Sequence, residues 1–375
     1  MQRRAAAPRS GSPPLQAAPV YAQHRGVRIA AMNVMIVSTV GDAHARAVMA
    51  ALHAQGTAVE LLDLTDFPSQ LALTMAFESG RRRFRMSRAG GGTLDLDSIT
   101  AVWWRRPQGF GLPGSLTDPA HRQYALSEAA TAFDGLYQSM NALWVNEPAR
   151  DVVAGHKPYQ LALAQQLGFS IPVTLMTNNP DEARDFWQRH KGEVIYKQFK
   201  ALPATWRETR KLRDEETALL ESVRMAPVIF QRFVDAVADV RVTIVGDEIF
   251  AGSTDPRKGA YPVDFRYNPE LKWEKHALPP EIEDLLRALM RRLGLEYGAI
   301  DLRLTPAGEY VFLEINPAGQ FLWIEMETGL KITDALAAHL IKGQRTHARS
   351  EELEEVVADG PAADLRRKFQ LVAAR

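Results

Sequence analysis

Residues Gly298 to Leu330 read GAIDLRLTPAGEYVFLEINPAGQFLWIEMETGL, the most strongly patterned stretch of the chain. Two alternating segments flank Ala307-Gly308, which is the pattern of an antiparallel hairpin with a tight turn. A two-residue turn there predicts that Asp301 lies directly opposite Glu314. Side chains alternate between the two faces of a strand. The face with the two carboxylates is therefore predicted to hold Arg303, Phe312 and Asn316 as well, and the opposite face to hold Ile300, Leu302, Val311, Leu313 and Ile315.

The pair Asp301 and Glu314 predicts a metal site. Carboxylates on neighbouring strands repel each other and raise each other's pKa, so such a pair usually holds a cation. Oxygen ligands without Cys or His favour a hard ion, and so small a set favours Mg²⁺ that also binds substrate phosphates. The alternative is that both acids are solvated strand residues. Asn316 favours the metal site, because it points the same way as Glu314 and Pro317 ends the strand just beyond it.

Composition limits the class of protein. A chain of 375 residues exceeds what one hydrophobic core usually serves, so two or three subdomains are predicted. Basic and acidic residues number 45 each, so net charge predicts neither a nucleic-acid nor a membrane partner. The absence of cysteine excludes disulfides, thiolate metal sites and cysteine nucleophiles. No apolar run approaches the roughly 18 residues that span a bilayer, and we expect a cytoplasmic protein.

The N-terminal part has the pattern of a doubly wound α/β domain. A buried strand is predicted at Asn33 to Ser38, followed by a helix to about His53 and a second strand at Ala58 to Asp63. No G-x-G-x-x-G follows the first strand, so no dinucleotide site is predicted. Two further segments stand out, TDFP at Thr65 to Pro68 and VWWRRP at Val102 to Pro107. The latter could equally be a strand edge whose arginine stems cover apolar surface.

The two ends of the chain differ from the rest. Residues 1–31 are rich in Ala, Arg and Pro, and they lack both a hydrophobic period and the apolar core of a signal peptide. We expect a disordered tail there. Because Met32 immediately precedes the first predicted strand, the natural start is either Met1 or Met32. Residues 344–375 are charged and helical in composition, and no chemistry is predicted for them.

Two lysines and two arginines are the candidate cationic residues. Lys157 begins a predicted helix, where a solvated lysine is the alternative to a ligand-binding one. Lys197 follows three apolar residues of a predicted strand, and a cation in that position needs a partner. Arg241 lies in a second predicted hairpin, Val237 to Gly252, where it either pairs with Asp239 or binds a ligand. Arg303 either clamps a substrate carboxylate or pairs with the neighbouring acids.

The spacing of Asp301 from the LEINP segment resembles the metal-binding end of the ATP-grasp superfamily. The string NPAGQFLWIEMETGL, together with TDFP and VWWRRP, resembles the microviridin-type (graspetide) peptide ligases. The resemblance implies an α/β protein that is α+β in its C-terminal part, with an ATP-grasp fold preceded by a doubly wound pre-ATP-grasp domain. The predicted divisions are a disordered tail at 1–31, the pre-ATP-grasp domain at 32–148, a central subdomain at 149–235, a C-terminal subdomain with the metal site at 236–343, and a charged helical tail at 344–375.

The resemblance also implies roles for the candidate residues. Lys157 and Lys197 contact the α- and β-phosphates of ATP, and the segment of Gln231, Arg232, Phe233 and Val234 forms the hinge against adenine. Magnesium is held by Asp301, Glu314 and Asn316. Arg241 meets the γ-phosphate and the acyl phosphate made from it, and Arg303 is the second candidate catalytic residue.

The activity implied by the resemblance is that of an ATP-dependent carboxylate ligase. It activates Asp or Glu side chains of a ribosomal precursor peptide, with leader and core, as acyl phosphates and closes intramolecular ester or amide crosslinks. The family also implies a homodimer. One alternative is a ligase for free amino acids or other small acids. A second is a non-catalytic nucleotide- or peptide-binding module, against which the retention of the complete residue set argues.

Overall fold

The computed structural model describes residues 34–200 and 209–343. The tails predicted at 1–31 and 344–375 lie outside these residues. Within them, no helix combines the length and the apolarity needed to cross a bilayer. The strands are β1 (Val34–Val37), β2 (Val59–Leu62), β3 (Leu71–Glu78), β4 (Arg81–Arg88), β5 (Thr93–Asp95), β6 (Ala101–Trp104), β7 (Leu143–Val145), β8 (Thr174–Thr177), β9 (Val194–Lys197), β10 (Arg210–Lys211), β11 (Val228–Arg232), β12 (Ala238–Val245), β13 (Glu248–Thr254), β14 (Glu274–Lys275), β15 (Tyr297–Leu304) and β16 (Tyr310–Asn316).

Helices occur between most of these strands. The α-helices are α1 (Ala43–Ala54), α2 (Pro119–Ser139), α3 (Pro148–Ala154), α4 (Lys157–Leu167), α5 (Pro180–Arg189), α6 (Pro280–Leu293), α7 (Leu322–Thr328) and α8 (332–343). Short 3₁₀ segments cover Leu64–Asp66, Leu96–Ser98, Asp214–Met225, Pro256–Lys258 and Phe265–Tyr267. The described strands form four sheets, and these sheets position the site.

The first sheet is parallel, with the order β2-β1-β6-β7, and it confirms the predicted doubly wound pattern. All four residues of β1 are buried, as its continuous apolar sequence predicts. Strand order reverses at β1, which has β2 on one side and β6 on the other. In open sheets of this kind, ligands bind outside the carboxyl ends of the two strands at such a switch point.

A small antiparallel sheet, β3-β4-β5, was not predicted from the sequence. Strand β4 reads RRRFRMSR, and its many arginines hide the apolar alternation on which a strand prediction depends. Phe84, Met86 and Leu94 nevertheless share one face and are buried in the core of the N-terminal part. Tertiary packing therefore provides the apolar partners that the local sequence does not reveal.

Two further antiparallel sheets form the rest of the described chain. The central sheet has the order β10-β9-β11-β8, and the five-stranded sheet has the order β14-β13-β12-β15-β16. Helices α4 and α6 cover the apolar face of the five-stranded sheet, where Leu286 and Leu289 are fully buried. The helical spacing of the leucines in α6 predicts this packing. Gly294, in the left-handed conformation at φ 67°, ends that helix.

The β15–β16 hairpin pairs Asp301 with Glu314, as predicted. Between this pair and the turn, however, the register differs from the prediction by one residue. Its loop has three residues rather than two, because the N–H of Thr305 donates to the carbonyl of Glu309 (2.9 Å). This shifts the pairing by one residue, and a bulge at Leu313 shifts it back. The prediction of which face of the hairpin each side chain occupies was consequently wrong for three residues. Phe312 lies in the apolar core, Val311 pairs with Arg303 on the other face, and Leu313 lines the cavity described below.

Candidate active site

A cavity of about 250 Å³ is lined by residues of the central and five-stranded sheets. It brings together almost all of the residues that the sequence singled out, namely Lys197, Gln231, Arg232, Phe233, Val234, Arg241, Asp301, Arg303, Glu314 and Asn316. Lys157 lines an adjoining cavity of about 290 Å³, which shares Lys197, Glu314 and Asn316 with the first. The two cavities therefore meet at the predicted metal and phosphate residues.

Arg241 and Asp301 form one ion pair across neighbouring strands. They lie opposite each other in the β12–β15 register, and Nη1 of Arg241 donates to Oδ1 of Asp301 at 2.7 Å. Burial raises the pKa of the Asp301 carboxyl, and the guanidinium opposes that rise. Nη2 of Arg241 also donates to the carbonyl of Gln320 (3.1 Å). The alternative in which Arg241 pairs with Asp239 is therefore wrong, because the partner of Arg241 is Asp301.

Glu314 and two lysines form a second charged cluster. Nζ of Lys157, at the start of α4, donates to Oε2 of Glu314. Burial alone would raise the pKa of Glu314, but Lys157 and Lys197 outweigh it and lower the pKa to about 2. Burial lowers the pKa of Lys197 to about 8, an effect that Glu314 opposes. The cluster thus holds a carboxylate anion beside two cations that an anionic ligand can share.

Arg303 is fully engaged by the protein. Its Nε donates to Oδ1 of Asp239 (2.8 Å), Nη1 to the carbonyl of Val234 (2.8 Å) and Nη2 to the carbonyl of Pro262 (2.6 Å). Its guanidinium also lies 5.2 Å from the ring centroid of Phe233. The structure therefore shows the pairing alternative for Arg303, with Asp239 as partner. Through these bonds Arg303 positions the predicted hinge, and its catalytic role stays a prediction.

The predicted hinge presents polar and aromatic groups to the cavity. Nε2 of Gln231 donates to Oγ1 of Thr174 (2.9 Å). Oε1 of Gln231 is buried and has no hydrogen-bond partner within 34–200 and 209–343. A buried acceptor without a donor is costly unless a ligand N–H supplies one. Phe233 contacts two cations. Nζ of Lys211 lies 4.7 Å from its ring centroid, in addition to the contact with Arg303.

The donor set fits magnesium. Asp301 and Glu314 lie opposite each other, and Asn316 follows two residues later in the same cavity. Among the described residues, no three His, Cys, Asp or Glu side chains form a metal site by themselves. The candidate set has two carboxylates, and its third ligand is the amide of Asn316. Two carboxylates and an amide leave most positions of an octahedral ion to water and phosphate oxygens, which is how Mg²⁺ usually binds with nucleotides. Both acids pair with basic side chains, as expected where neighbouring carboxylates repel each other and a positive charge nearby stabilises them.

The loop after β16, residues 317–321 and here called the connecting loop, is held by the N-terminal part of the chain. Nη1 of Arg105 donates to the carbonyls of Ala318 (2.6 Å) and Gly319 (2.9 Å). Nε2 of His44 accepts from the N–H groups of Phe321 (3.1 Å) and Leu322 (3.3 Å). Sequence reasoning did not assign Arg105 or His44 to the site. The motif VWWRRP was the available signal, but it did not identify the loop as the partner.

Comparison with known proteins gives two successive family matches. Residues 33–151 match the MvdD pre-ATP grasp domain, and residues 154–340 match the RimK-like ATP-grasp domain. The crystal structure of macrocyclase MdnC from Microcystis aeruginosa MRC, bound with precursor peptide MdnA, is 30% identical, with a TM-score of 0.74 over 83% of this chain and 100% of that chain. The chain belongs to the ATP-grasp ligase family. Within it, the match to the MvdD pre-ATP grasp domain and the similarity to MdnC group the chain with the peptide macrocyclases.

Two other relatives of this ATP-grasp ligase are informative. A RiPP-associated ATP-grasp ligase from Chryseobacterium gregarium, in complex with ADP and a leader and core peptide, is 25% identical, with a TM-score of 0.76 over 83% of this chain and 97% of that chain. A curated protein from Hahella chejuensis (strain KCTC 2396), described as probable alpha-L-glutamate ligase 1, is 25% identical over 217 residues, which are 55% of this chain and 69% of the relative. The relatives thus include a ligase in complex with a leader and core peptide and a protein described as a glutamate ligase. These correspond to the two ligase activities predicted from the sequence.

Proposed function

We propose that this ATP-grasp ligase crosslinks a ribosomal precursor peptide in the cytoplasm. It activates Asp or Glu side chains with ATP and closes ester or amide bonds within the same peptide. The observation that carries the proposal is the meeting of two ion pairs, Arg241–Asp301 and Lys157–Glu314, where the cavity lined by the hinge residues adjoins the second cavity. The similarity to macrocyclases supports a peptide as the substrate.

The cavity provides a seat for ATP. Adenine fits against the segment from Gln231 to Val234, where the unpartnered Oε1 of Gln231 can accept from an exocyclic amine. Lys157 can turn from Glu314 to a phosphate oxygen, and Lys197 lines both cavities within reach of the same charge cluster. Asp301, Glu314 and Asn316 would hold Mg²⁺, which neutralises negative charge on the β- and γ-phosphates when bound. Displacing an ion pair by ligand leaves no basic side chain unpaired, because each exchanges one anion for another.

The reaction has two displacement steps. A carboxylate oxygen of the peptide attacks the γ-phosphorus of ATP, and the bond to ADP breaks, which leaves a carboxyl phosphate. A Ser or Thr hydroxyl, or a Lys amine, then attacks the acyl carbon, loses its proton and expels phosphate. Activation is needed because a free carboxylate is a poor electrophile. Arg241 lies beside Asp301 with its guanidinium buried, and it can stabilise the charge on the transferring group in both steps.

Coexpression with the small peptide encoded beside this chain tests the proposal. Mass spectrometry is expected to show the peptide lighter by one or more water molecules, and the purified protein should release ADP with that peptide, ATP and Mg²⁺. Glu314→Gln should lower ADP release on the order of a hundredfold or more, because it removes a charge from the metal set. Its thermal unfolding midpoint should stay close to that of the parent protein, since Lys157 remains partly exposed to water. Full activity of Glu314→Gln would remove this residue from the nucleotide site.

A ligase for free amino acids is the second candidate. The similarity to a probable alpha-L-glutamate ligase favours it. It predicts ADP release with glutamate or another small acid alone, without any precursor peptide. ADP release with such acids, and no mass change of the peptide, would replace the first proposal by this one.

A further inference from the structure

The VWWRRP motif contributes a residue to the cavity that the proposed function has not used. Arg105 and Arg106 follow β6 directly, but their environments are opposite. Arg105 is buried, and its guanidinium binds the connecting loop and Oδ2 of Asp42 (3.1 Å). Arg106 is exposed and lines the cavity, and only its Nε is bonded, to the carbonyl of Ala318 at 3.0 Å. Both terminal nitrogens of Arg106 lack a partner in the part of the chain that the structure describes.

The position of Arg106 follows from the strand order of the parallel sheet. Strands β1 and β6 flank the switch point, and their carboxyl ends lead into Asp42 and Arg105. The connecting loop occupies this crevice, where a doubly wound domain usually binds its ligand. Because the loop fills the crevice, Arg106 at its rim is directed to the cavity of the neighbouring subdomain instead.

A series of contacts leads from the hinge to Arg106. Arg303 links the hinge to β12 at Asp239. Arg241 follows two residues later, roughly 7 Å along the strand, and bonds to Gln320 of the connecting loop. The order along the cavity is therefore hinge, Arg241, connecting loop and Arg106. A nucleotide whose γ-phosphate reaches Arg241 leaves the space beside Arg106 to the group that receives the phosphate.

The same cavity has an aromatic wall. Trp323 and Phe265 are half-buried, line the cavity and lie 5.6 Å apart between ring centroids, and Trp273 packs on Trp323 at 4.8 Å. An apolar wall can cover the methylene stem of an acidic residue. The guanidinium of Arg106 can hold the carboxylate itself through charge-assisted hydrogen bonds.

We propose that Arg106 binds a side-chain carboxylate of the substrate peptide in the cavity that the Trp323–Phe265 wall also lines. Arg106 is then a substrate-binding residue that the N-terminal domain supplies to the ATP-grasp site. The inference rests on the proposed function in that the substrate is taken to be an acidic peptide. It adds that recognition of the acid needs both domains and depends on the second arginine of the motif, not the first.

A binding cycle tests the inference without turnover. The probes are the acetylated and amidated tetrapeptides Gly-Asp-Glu-Gly and Gly-Asn-Gln-Gly, titrated by calorimetry into the full chain with ADP and Mg²⁺. The parent protein is expected to bind the acidic peptide about tenfold more tightly than the amide peptide. In Arg106→Gln the two affinities should become equal through loss of the acidic peptide's advantage, while the affinity for ADP stays unchanged.

Arg83→Gln is the matched control. Arg83 is exposed on β4, does not line the cavity, and should leave the tenfold preference intact. The proposal is overturned if Arg106→Gln keeps the preference, if the parent protein shows none, or if the variant loses affinity for ADP instead. The test separates the two proposals. Carboxylate preference that depends on Arg106, without crosslinking, would refute only the proposed function, whereas crosslinking by a protein whose preference survives Arg106→Gln would refute only this inference.

Discussion

Replacing Asn146 with aspartate is expected to destabilise the protein strongly, although the two side chains have the same shape. Asn146 is 1% exposed and makes four hydrogen bonds. Its Oδ1 accepts from the N–H groups of Glu296 (2.8 Å) and Tyr297 (2.9 Å). Its Nδ2 donates to the carbonyls of Tyr297 (2.9 Å) and Pro317 (3.0 Å). One amide therefore ties the start of β15 to the residue that follows β16.

The size of the effect follows from what the carboxyl group cannot do. In Asn146→Asp both acceptor bonds can persist, but an ionised carboxylate donates to neither carbonyl. Each buried carbonyl that loses its donor costs about 1–3 kcal/mol, which gives about 2–6 kcal/mol for the two. Protonation of the new carboxyl would restore one donor at most. The free energy of unfolding is therefore expected to fall by at least about 2 kcal/mol at neutral pH.

Urea unfolding of the parent protein and two variants measures this effect. The matched control is Asn179→Asp, because Asn179 caps helix α5 by accepting from the N–H of Asp181 (3.0 Å). A carboxylate accepts that bond equally well, so the control should change stability by no more than about 0.5 kcal/mol. Equal stability of the Asn146→Asp and Asn179→Asp variants would refute the reasoning, since it would mean that the two donor bonds of Asn146 contribute nothing.

Two further predictions concern the connecting loop. Gly319→Ala should destabilise the protein by about 1–3 kcal/mol and reduce ADP release, because a Cβ there would lie 2.2 Å from that of Ala299 and 2.9 Å from Nη2 of Arg241. Gly109→Ala, where a Cβ would meet no atom within 4 Å, is the control, and equal behaviour of the two would contradict the prediction. Burial lowers the pKa of His44 below 6.5, so its stabilising contribution is complete above about pH 6.5 and is lost as the pH falls from there. Unfolding measured between about pH 7.5 and 5 should show a smaller loss for His44→Gln than for the parent protein, and identical pH profiles would exclude the effect.

Much of the local structure follows from the sequence. The hairpin predicted at Val237 to Gly252, the amphipathic α6 and the helix start at Lys157 all appear where the patterns predict them. These features depend on residues close together in the chain, so turn chemistry, capping and periodicity are sufficient to predict them. The Asp301–Glu314 pair was also predicted, but from a two-residue turn that this hairpin does not have. The longer loop and the bulge at Leu313 compensate each other, and neither leaves a signal in the alternation of polar and apolar residues.

By itself, the sequence determined the class of fold, the oxygen-rich hairpin and the set of charged candidate residues that line the two cavities. Only the tertiary structure decided how those charges are paired: Arg241 with Asp301, Arg303 with Asp239, and Arg105 with the connecting loop while Arg106 faces the cavity. The physical reason is that the partner of a charged side chain depends on strand register and on burial, and both are set by elements far apart in the chain. A periodic pattern specifies which face of a strand a residue occupies, but not which strand lies beside it.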